Sequence, residues 1–265
     1  MILIESENNK IVKYIKSLDT KKGRDKHNRF IIEGKKYVDS IPDEWQVESY
    51  VISQSMNQKI DVNEYSSRAQ IYVLKDSIFN SVSDTVTPQG IFAICNKLEY
   101  HIGDILNKSQ PLFILMIEEI IDPGNLGTII RTAESAGACG IIVSKNSVDI
   151  YNKKVLRSTA GAIFSIPVIE NAVLADFCDM LKGKGIKIIA THLKGATYPY
   201  DMNLSEDCAI IVGNEARGIS EEIIKNVNCT VKIPMIGDSD SLNVSVASGI
   251  LIYEVVRQRL KKYKI

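Results

Sequence analysis

The chain has 265 residues, 45% of them apolar and 24% charged, with Lys plus Arg and Asp plus Glu balanced at 32 each. That is chain enough for a large core and for two domains, and its charge balance argues neither for nor against a polyanionic partner. The five cysteines (Cys95, Cys139, Cys178, Cys208, Cys229) lack CxxC spacing and the three histidines lie far apart, which argues against a zinc site and for reduced, buried thiols. No run is long enough for a membrane span and MILIESENNK has no signal-peptide pattern, so the expected location is cytoplasmic.

In chain order, Ile11, Val12, Ile15 and Leu18 fall at helical spacing with Lys10, Lys13 and Lys16 on the other face, predicting a basic amphipathic helix. Residues Lys21 to Arg29 then read as a charged loop before a short strand, Phe30 to Ile32. Between Lys10 and Lys36, ten basic residues stand against three acidic ones. Gly23, two arginines and a histidine beside a strand suit phosphate contact, and a solvated surface explains them equally well. Apolar runs at Tyr50–Ile52, Ile71–Leu74 and Ile91–Cys95 make residues 1–95 a small α/β domain, and the polar stretch 96–111, with Gly103, Asn107 and Ser109, a linker.

From Leu112 strand and helix alternate. Strands are expected at 112–117, 140–143, 166–169, 186–190, before Gly213 and at 230–233, with helices between them. Such alternation predicts a mostly parallel sheet with helices on both faces over 112–265. Within it, Asp122 to Gly137 reads as a helix whose core face is Leu126, Ile129, Ile130 and Ala133. Its opposite face is small, with Gly124, Gly127, Thr128 and Ser135 around a single Arg131, so another backbone can come close. Asn125 stands near the helix start, where it can cap or reach a ligand.

The apolar run Cys208–Val212 ends in GNEARG, where Gly213 and Gly218 permit a tight turn and Glu215 sets a carboxylate at the strand end. The last strand leads through Pro234 and a polar loop to Ser241 and Asn243, both good helix caps. Loops at the carboxyl ends of parallel strands are where α/β proteins bind ligands. In the terminal helix Ser245, Ser248, Gly249 and Ile252 share a face that could pack inside the chain or against a second helix.

Four stretches, DPGNLGTIIRTAESAG, RSTAGAIFSIPV, IIVGNEARGIS and IPMIGDSDSLNVSVA, in this order and spacing resemble the motifs of the SpoU (TrmH-like) branch of the SPOUT RNA methyltransferases. The N-terminal portion is similar to the substrate-binding domain of ribosomal-protein type that precedes the catalytic domain in many members. The resemblance implies methyl transfer from S-adenosylmethionine to a ribose 2′-hydroxyl of RNA, ribosomal RNA before transfer RNA, without a metal or a membrane. It also implies a homodimer and a C-terminal domain tied in a deep trefoil knot. The implied catalytic set is Asn125, Arg131, Glu215, Ser241 and Asn243. Cofactor contacts would come from Thr191, His192, Leu193, Gly213, Asn214, Gly218, Ile233, Met235, Leu242 and Val244, and RNA contacts from Lys21, Lys22, Arg24, Lys26 and Arg29. Where members often carry Ser-X-Gly, this chain has Ser158, Thr159, Ala160 and Gly161. A catalytically idle RNA-binding or ribosome-assembly factor on the same fold is the alternative.

Overall fold

Short β-branched runs build both sheets of this protein. The computed structural model describes residues 1–108 and 111–263, the side chain of residue 263 excepted, so Ser109 and Gln110 of the expected linker lie outside the described residues. The chain divides into two compact units, Met1–Leu98 with Tyr151–Phe164, and Glu99–Ile150 with Ser165 onward.

In the first unit, β1 (Ile2–Ile4), β2 (Arg29–Glu33), β3 (Val47–Ser53), β4 (Gln70–Leu74) and β5 (Ile91–Asn96) form one sheet in the order β1-β4-β3-β5-β2. β1, β4 and β3 run parallel, and β5 is antiparallel to both its neighbours. The helix Lys10–Ser17 buries Val12 and Ile15 in a core with Val51, Phe79 and Phe92, leaving its lysines outside as the spacing predicts.

The next segment differs from expectation. Lys21–His27 is a helix, not a loop: the Thr20 hydroxyl accepts from the Gly23 amide at 3.1 Å, and Asn28, at φ 52°, closes the C-terminus in the left-handed region. Gly23 is required by close approach, since a Cβ there would sit 1.9 Å from the Ser17 carbonyl oxygen. Arg24 turns inward, 3% exposed, and its guanidinium donates to the carbonyls of Leu18 and Asp19 at 2.9 Å each. It therefore ties the turn between two helices and is withdrawn from the RNA-facing set. Arg29 is drawn to Glu48 at 2.6 Å, while Lys22 and Lys26 stay exposed.

The segment Tyr151–Phe164, placed by the sequence reading within 112–265, packs on this first unit. Tyr151 lies 4.5 Å from Phe30 and Phe164 4.8 Å from Trp45 between ring centroids, and Lys153 pairs with Asp19 at 2.5 Å. Its helix Lys153–Thr159 ends at Ala160 with φ 52° and Gly161 with φ 96°.

The second unit holds a six-stranded sheet of β6 (Phe113–Ile117), β7 (Gly140–Ser144), β8 (Val168–Ala172), β9 (Lys187–Thr191), β10 (Cys208–Val212) and β11 (Cys229–Val231). The order is β11-β9-β10-β6-β7-β8, and every pairing is parallel. β6, β7 and β10 are buried along their whole length, which is why they read as unbroken apolar runs. Burial pushes the Cys178 and Cys208 thiols up to about 11, the behaviour of packed, unreactive cysteines. Among the described residues no helix is long and apolar enough to cross a membrane.

Candidate active site

Three neighbouring strands, β11, β9 and β10, release their chains at the same edge of the sheet, and a cavity of about 450 Å³ opens there. Thr191, His192 and Leu193 line it from the end of β9, Gly213, Asn214 and Gly218 from the end of β10, and Ile233 and Met235 from beyond β11. Leu242 and Val244 close it from the start of the terminal helix Val244–Tyr263. The ten residues that the resemblance assigned to a cofactor are thus brought to one place. Its walls combine apolar side chains, among them Leu193, Ile219, Ile233 and Leu242, with the charged Lys194, Glu215, Arg217 and Lys232, and at this size they suit a small molecule with both apolar and polar parts.

GNEARG builds its turn from named constraints. A Cβ on Gly213 would stand 2.6 Å from the backbone of Gly218, and Gly218 itself has φ +70°, so each glycine answers a separate demand. Asn214, buried, folds the turn around its own side chain. Its Oδ1 accepts from the amides of Ala216 and Arg217 at 2.9 and 3.0 Å, and its Nδ2 donates to the Glu119 carbonyl at 2.8 Å.

Glu118 and Glu119, which directly follow β6, were missed in the sequence. Glu118 accepts from the amide and hydroxyl of Ser220 at 2.9 and 2.6 Å. Glu119 takes the left-handed region at φ 52° and pairs with Arg217 at 2.5 Å. Together they fasten both ends of the turn to the centre of the sheet. Two carboxylates after an apolar strand were the available signal.

The helix Pro123–Ser135 is capped by Asp122, whose side chain accepts from the Asn125 amide at 2.8 Å. Capping is therefore not the work of Asn125. Its amide nitrogen donates to Glu215 Oε1 at 3.1 Å, and its oxygen accepts from Asn243 Nδ2 at 3.0 Å. Asn243 in turn caps the terminal helix, its Oδ1 accepting from the Ser245 amide at 2.9 Å and hydroxyl at 2.6 Å. One chain of hydrogen bonds so joins the loops after β6, β10 and β11. Glu215 and Ser241 line the cavity, while Asn125 and Asn243 do not.

Arg131 is the outlier. It is exposed, lines no part of the cavity, and makes no hydrogen bond or ion pair among the described residues. Six helical positions separate it from Asn125, about 9 Å along the axis and about 120° around it. The small stripe is covered only in part: Gly127 is buried, and the terminal helix packs on this helix with Thr132 Cγ2 4.0 Å from where a Cβ of Gly249 would be, while Thr128 and Ser135 stay exposed beside Arg131. Ser248 and Ile252 are 0% exposed, so the face expected to admit a second helix is the one turned inward.

Comparison with known proteins adds to this geometry. The family model described as SpoU rRNA Methylase family matches residues 112–253, and that of the MRM3-like substrate binding domain matches residues 9–93. The 23S rRNA (guanosine(2553)-2′-O)-methyltransferase RlmP of Bacillus subtilis (strain 168) is 35% identical over 253 residues, covering 95% of this chain and 98% of its own. The 23S rRNA (guanosine-2′-O-)-methyltransferase RlmB of Neisseria meningitidis serogroup B is 34% identical over 196 residues, 73% of this chain and 78% of that one. Among solved structures, the AdoMet-bound rRNA methyltransferase from Sinorhizobium meliloti superposes with a TM-score of 0.84 at 30% identity, over 96% of this chain and 98% of that one. The family pattern, matched over more than half the chain and supported by a relative aligned almost end to end, has one consequence: this chain belongs to the SpoU rRNA methylase family.

Proposed function

We propose that the protein methylates a ribose 2′-hydroxyl of ribosomal RNA with S-adenosylmethionine as donor, and that it does so in the cytoplasm. The observation that carries the assignment is the hydrogen-bonded set Asn243–Asn125–Glu215 at the rim of a cavity built by the ends of β9, β10 and β11. An idle RNA-binding factor would have no need of such a set.

The donor supplies a methyl group already activated on a sulfonium. What remains for the protein is alignment, exclusion of water and a more nucleophilic ribose oxygen. Thr191, His192, Leu193, Gly213, Asn214, Gly218, Ile233, Met235, Leu242 and Val244 would hold the donor, and Ser241 and Asn243 would fix the ribose. Glu215 orients Asn125. Arg131 clamps a phosphate and stabilises the negative charge that develops on the ribose oxygen, whose proton passes to solvent water at the open rim of the site. A guanidinium gives up its own proton too reluctantly to serve as a base.

We assign Arg131 to a site completed across a homodimer, because within one chain it stands apart from Asn125. The terminal helix supports the dimer with a face other than the one first expected: Val246, Ile250 and Tyr253, at spacings of four and three, are 51%, 42% and 52% exposed. The trefoil knot belongs to the same proposal, as does a role for residues 1–95 in holding the RNA through Lys21, Lys22 and Lys26. Arg131→Ala tests the division of labour. Methyl transfer should fall at least about a hundredfold, the cost of losing one donor to a developing oxyanion, while calorimetry finds donor affinity unchanged. Lost donor affinity would contradict it.

A further inference from the structure

Beyond β9 the chain does not leave the sheet at once. Residues 192–197 run alongside β11: the His192 amide donates to the Val231 carbonyl at 2.9 Å, and the Lys232 amide donates to the Thr197 carbonyl at 3.0 Å. The contact is so close that a Cβ on Gly195 would lie 2.6 Å from the Val231 carbonyl carbon. Pro199, buried, then starts a single 3-10 turn, and its carbonyl accepts from Gln258 Nε2 of the terminal helix at 3.3 Å. This scaffold fixes two tyrosines.

Tyr198 and Tyr200 are stacked, with centroids 5.3 Å apart and planes 17° from parallel. Buried aromatic pairs elsewhere in the protein are tilted or edge-on. Tyr200 is 54% exposed, and neither phenol makes a hydrogen bond among the described residues. The Lys232 ammonium lies 5.3 Å from the Tyr198 ring, and Lys232 also lines the cavity beside Lys194. A solvent-facing aromatic stack with a cation between it and the cavity proposed for the donor has the parts of a base-stacking platform, flat rings for a base and ammonium groups for the adjoining phosphate.

We propose that Tyr200, backed by Tyr198, stacks an unpaired base of the RNA substrate next to the nucleotide that is methylated, with Lys232 and Lys194 meeting the intervening phosphodiester. Tyr200 is then a substrate-positioning residue that touches neither the donor nor the reacting oxygen. The inference rests on the RNA methyltransferase reading, and its test separates the two.

The test measures methyl transfer to a large-subunit rRNA transcript for the wild-type protein and for Tyr200→Ala and Tyr200→Phe, with donor affinity by calorimetry and mass by sedimentation. Tyr200→Ala should raise KM for RNA roughly tenfold or more, with donor affinity and oligomeric state unchanged, and Tyr200→Phe should stay near wild type because the ring face does the stacking. An unchanged KM in Tyr200→Ala, or a KM rise equally large in Tyr200→Phe, would overturn the platform. So would dissociation of the protein by Tyr200→Ala, which would make the stack a protein contact. A wild-type protein that methylates no RNA would instead overturn the functional reading itself.

Discussion

Gly213 and Gly218 were legible as turn residues, and the structure separates their reasons into a close backbone approach and a positive φ. Gly213→Ala should therefore force the turn open and weaken donor binding by more than about tenfold, roughly the effect of 1.4 kcal/mol; calorimetry giving wild-type affinity would remove the turn from the pocket. Asn125 was legible as a residue that caps or reaches a ligand, and the sequence left the choice open because both use the same amide group; only the fold shows Asp122 taking the cap. Arg24 could not be told from its basic neighbours, since nothing local marks which guanidinium will find two carbonyls. At Asp25, desolvation works to raise the carboxyl pKa, and the Lys97 ammonium at 2.6 Å outweighs it and holds the group below the usual carboxylate range. A depressed folded value stabilises the protein above the unfolded pKa and is lost as pH falls through the folded one. Asp25→Asn should thus lower the melting temperature at pH 7 by the equivalent of about 1 kcal/mol or less, the carboxylate being half exposed. The difference should close in melts at pH values far enough below the usual carboxylate range to protonate the folded protein's Asp25, and a gap that persisted there would contradict the ion pair.

Elements with an apolar pattern were readable as elements, and those without one were not. The helix Pro123–Ser135 shows the face its spacing predicts, Leu126, Ile129, Ile130 and Ala133 all at 0% exposure. β6 and β10 announced themselves because a strand buried on both faces leaves no polar position. The helix Lys21–His27 was hidden because it has no apolar periodicity at all and is held by its caps and by Gly23. β1 has three residues at a sheet edge, with Ile2 and Leu3 half exposed, and offers no pattern to read. The corrected helix changes what its lysines can do, for it presents Lys22 and Lys26 outward and keeps Arg24 as a tie. Lys22→Glu with Lys26→Glu should weaken RNA binding and flatten its salt dependence without altering the melting temperature. Arg24→Ala should lower the melting temperature first, and filter binding across a salt series beside thermal melts distinguishes the two. Equal melting losses in both variants would make the lysines structural as well.

At the scale of the whole molecule, the change of rhythm was read at residue 112 after a linker, whereas the second unit begins at Glu99 and includes a helix, Ile102–Leu106, whose Ile105 is buried in its core; the return of Tyr151–Phe164 to the first unit was not visible at all. That return depends on Phe30–Tyr151 and Trp45–Phe164 ring contacts between residues more than a hundred positions apart, which no window of sequence contains. The terminal helix shows the same limit: both its faces carry small or apolar residues, and only packing on the helix Pro123–Ser135 decides that Ser248 and Ile252 go inside and Val246, Ile250 and Tyr253 stay out. If a second copy covers that outer face and supplies Arg131, mixing Arg131→Ala chains with Asn125→Ala chains should restore about a quarter of wild-type activity, the share of intact sites in randomly paired dimers. Sedimentation of Ile250→Asp should then find 29.5 kDa monomers. A mixture as inactive as its parents would place Arg131 with its own chain. The central claim, transfer of a methyl group to a ribose oxygen, is met most directly by incubating the protein with large-subunit rRNA and methyl-labelled S-adenosylmethionine, then hydrolysing the RNA in alkali. A 2′-O-methylated nucleotide resists cleavage at its 3′ side, so the account predicts label in an alkali-resistant dinucleotide. Label recovered in mononucleotides, or none in the RNA, would contradict it.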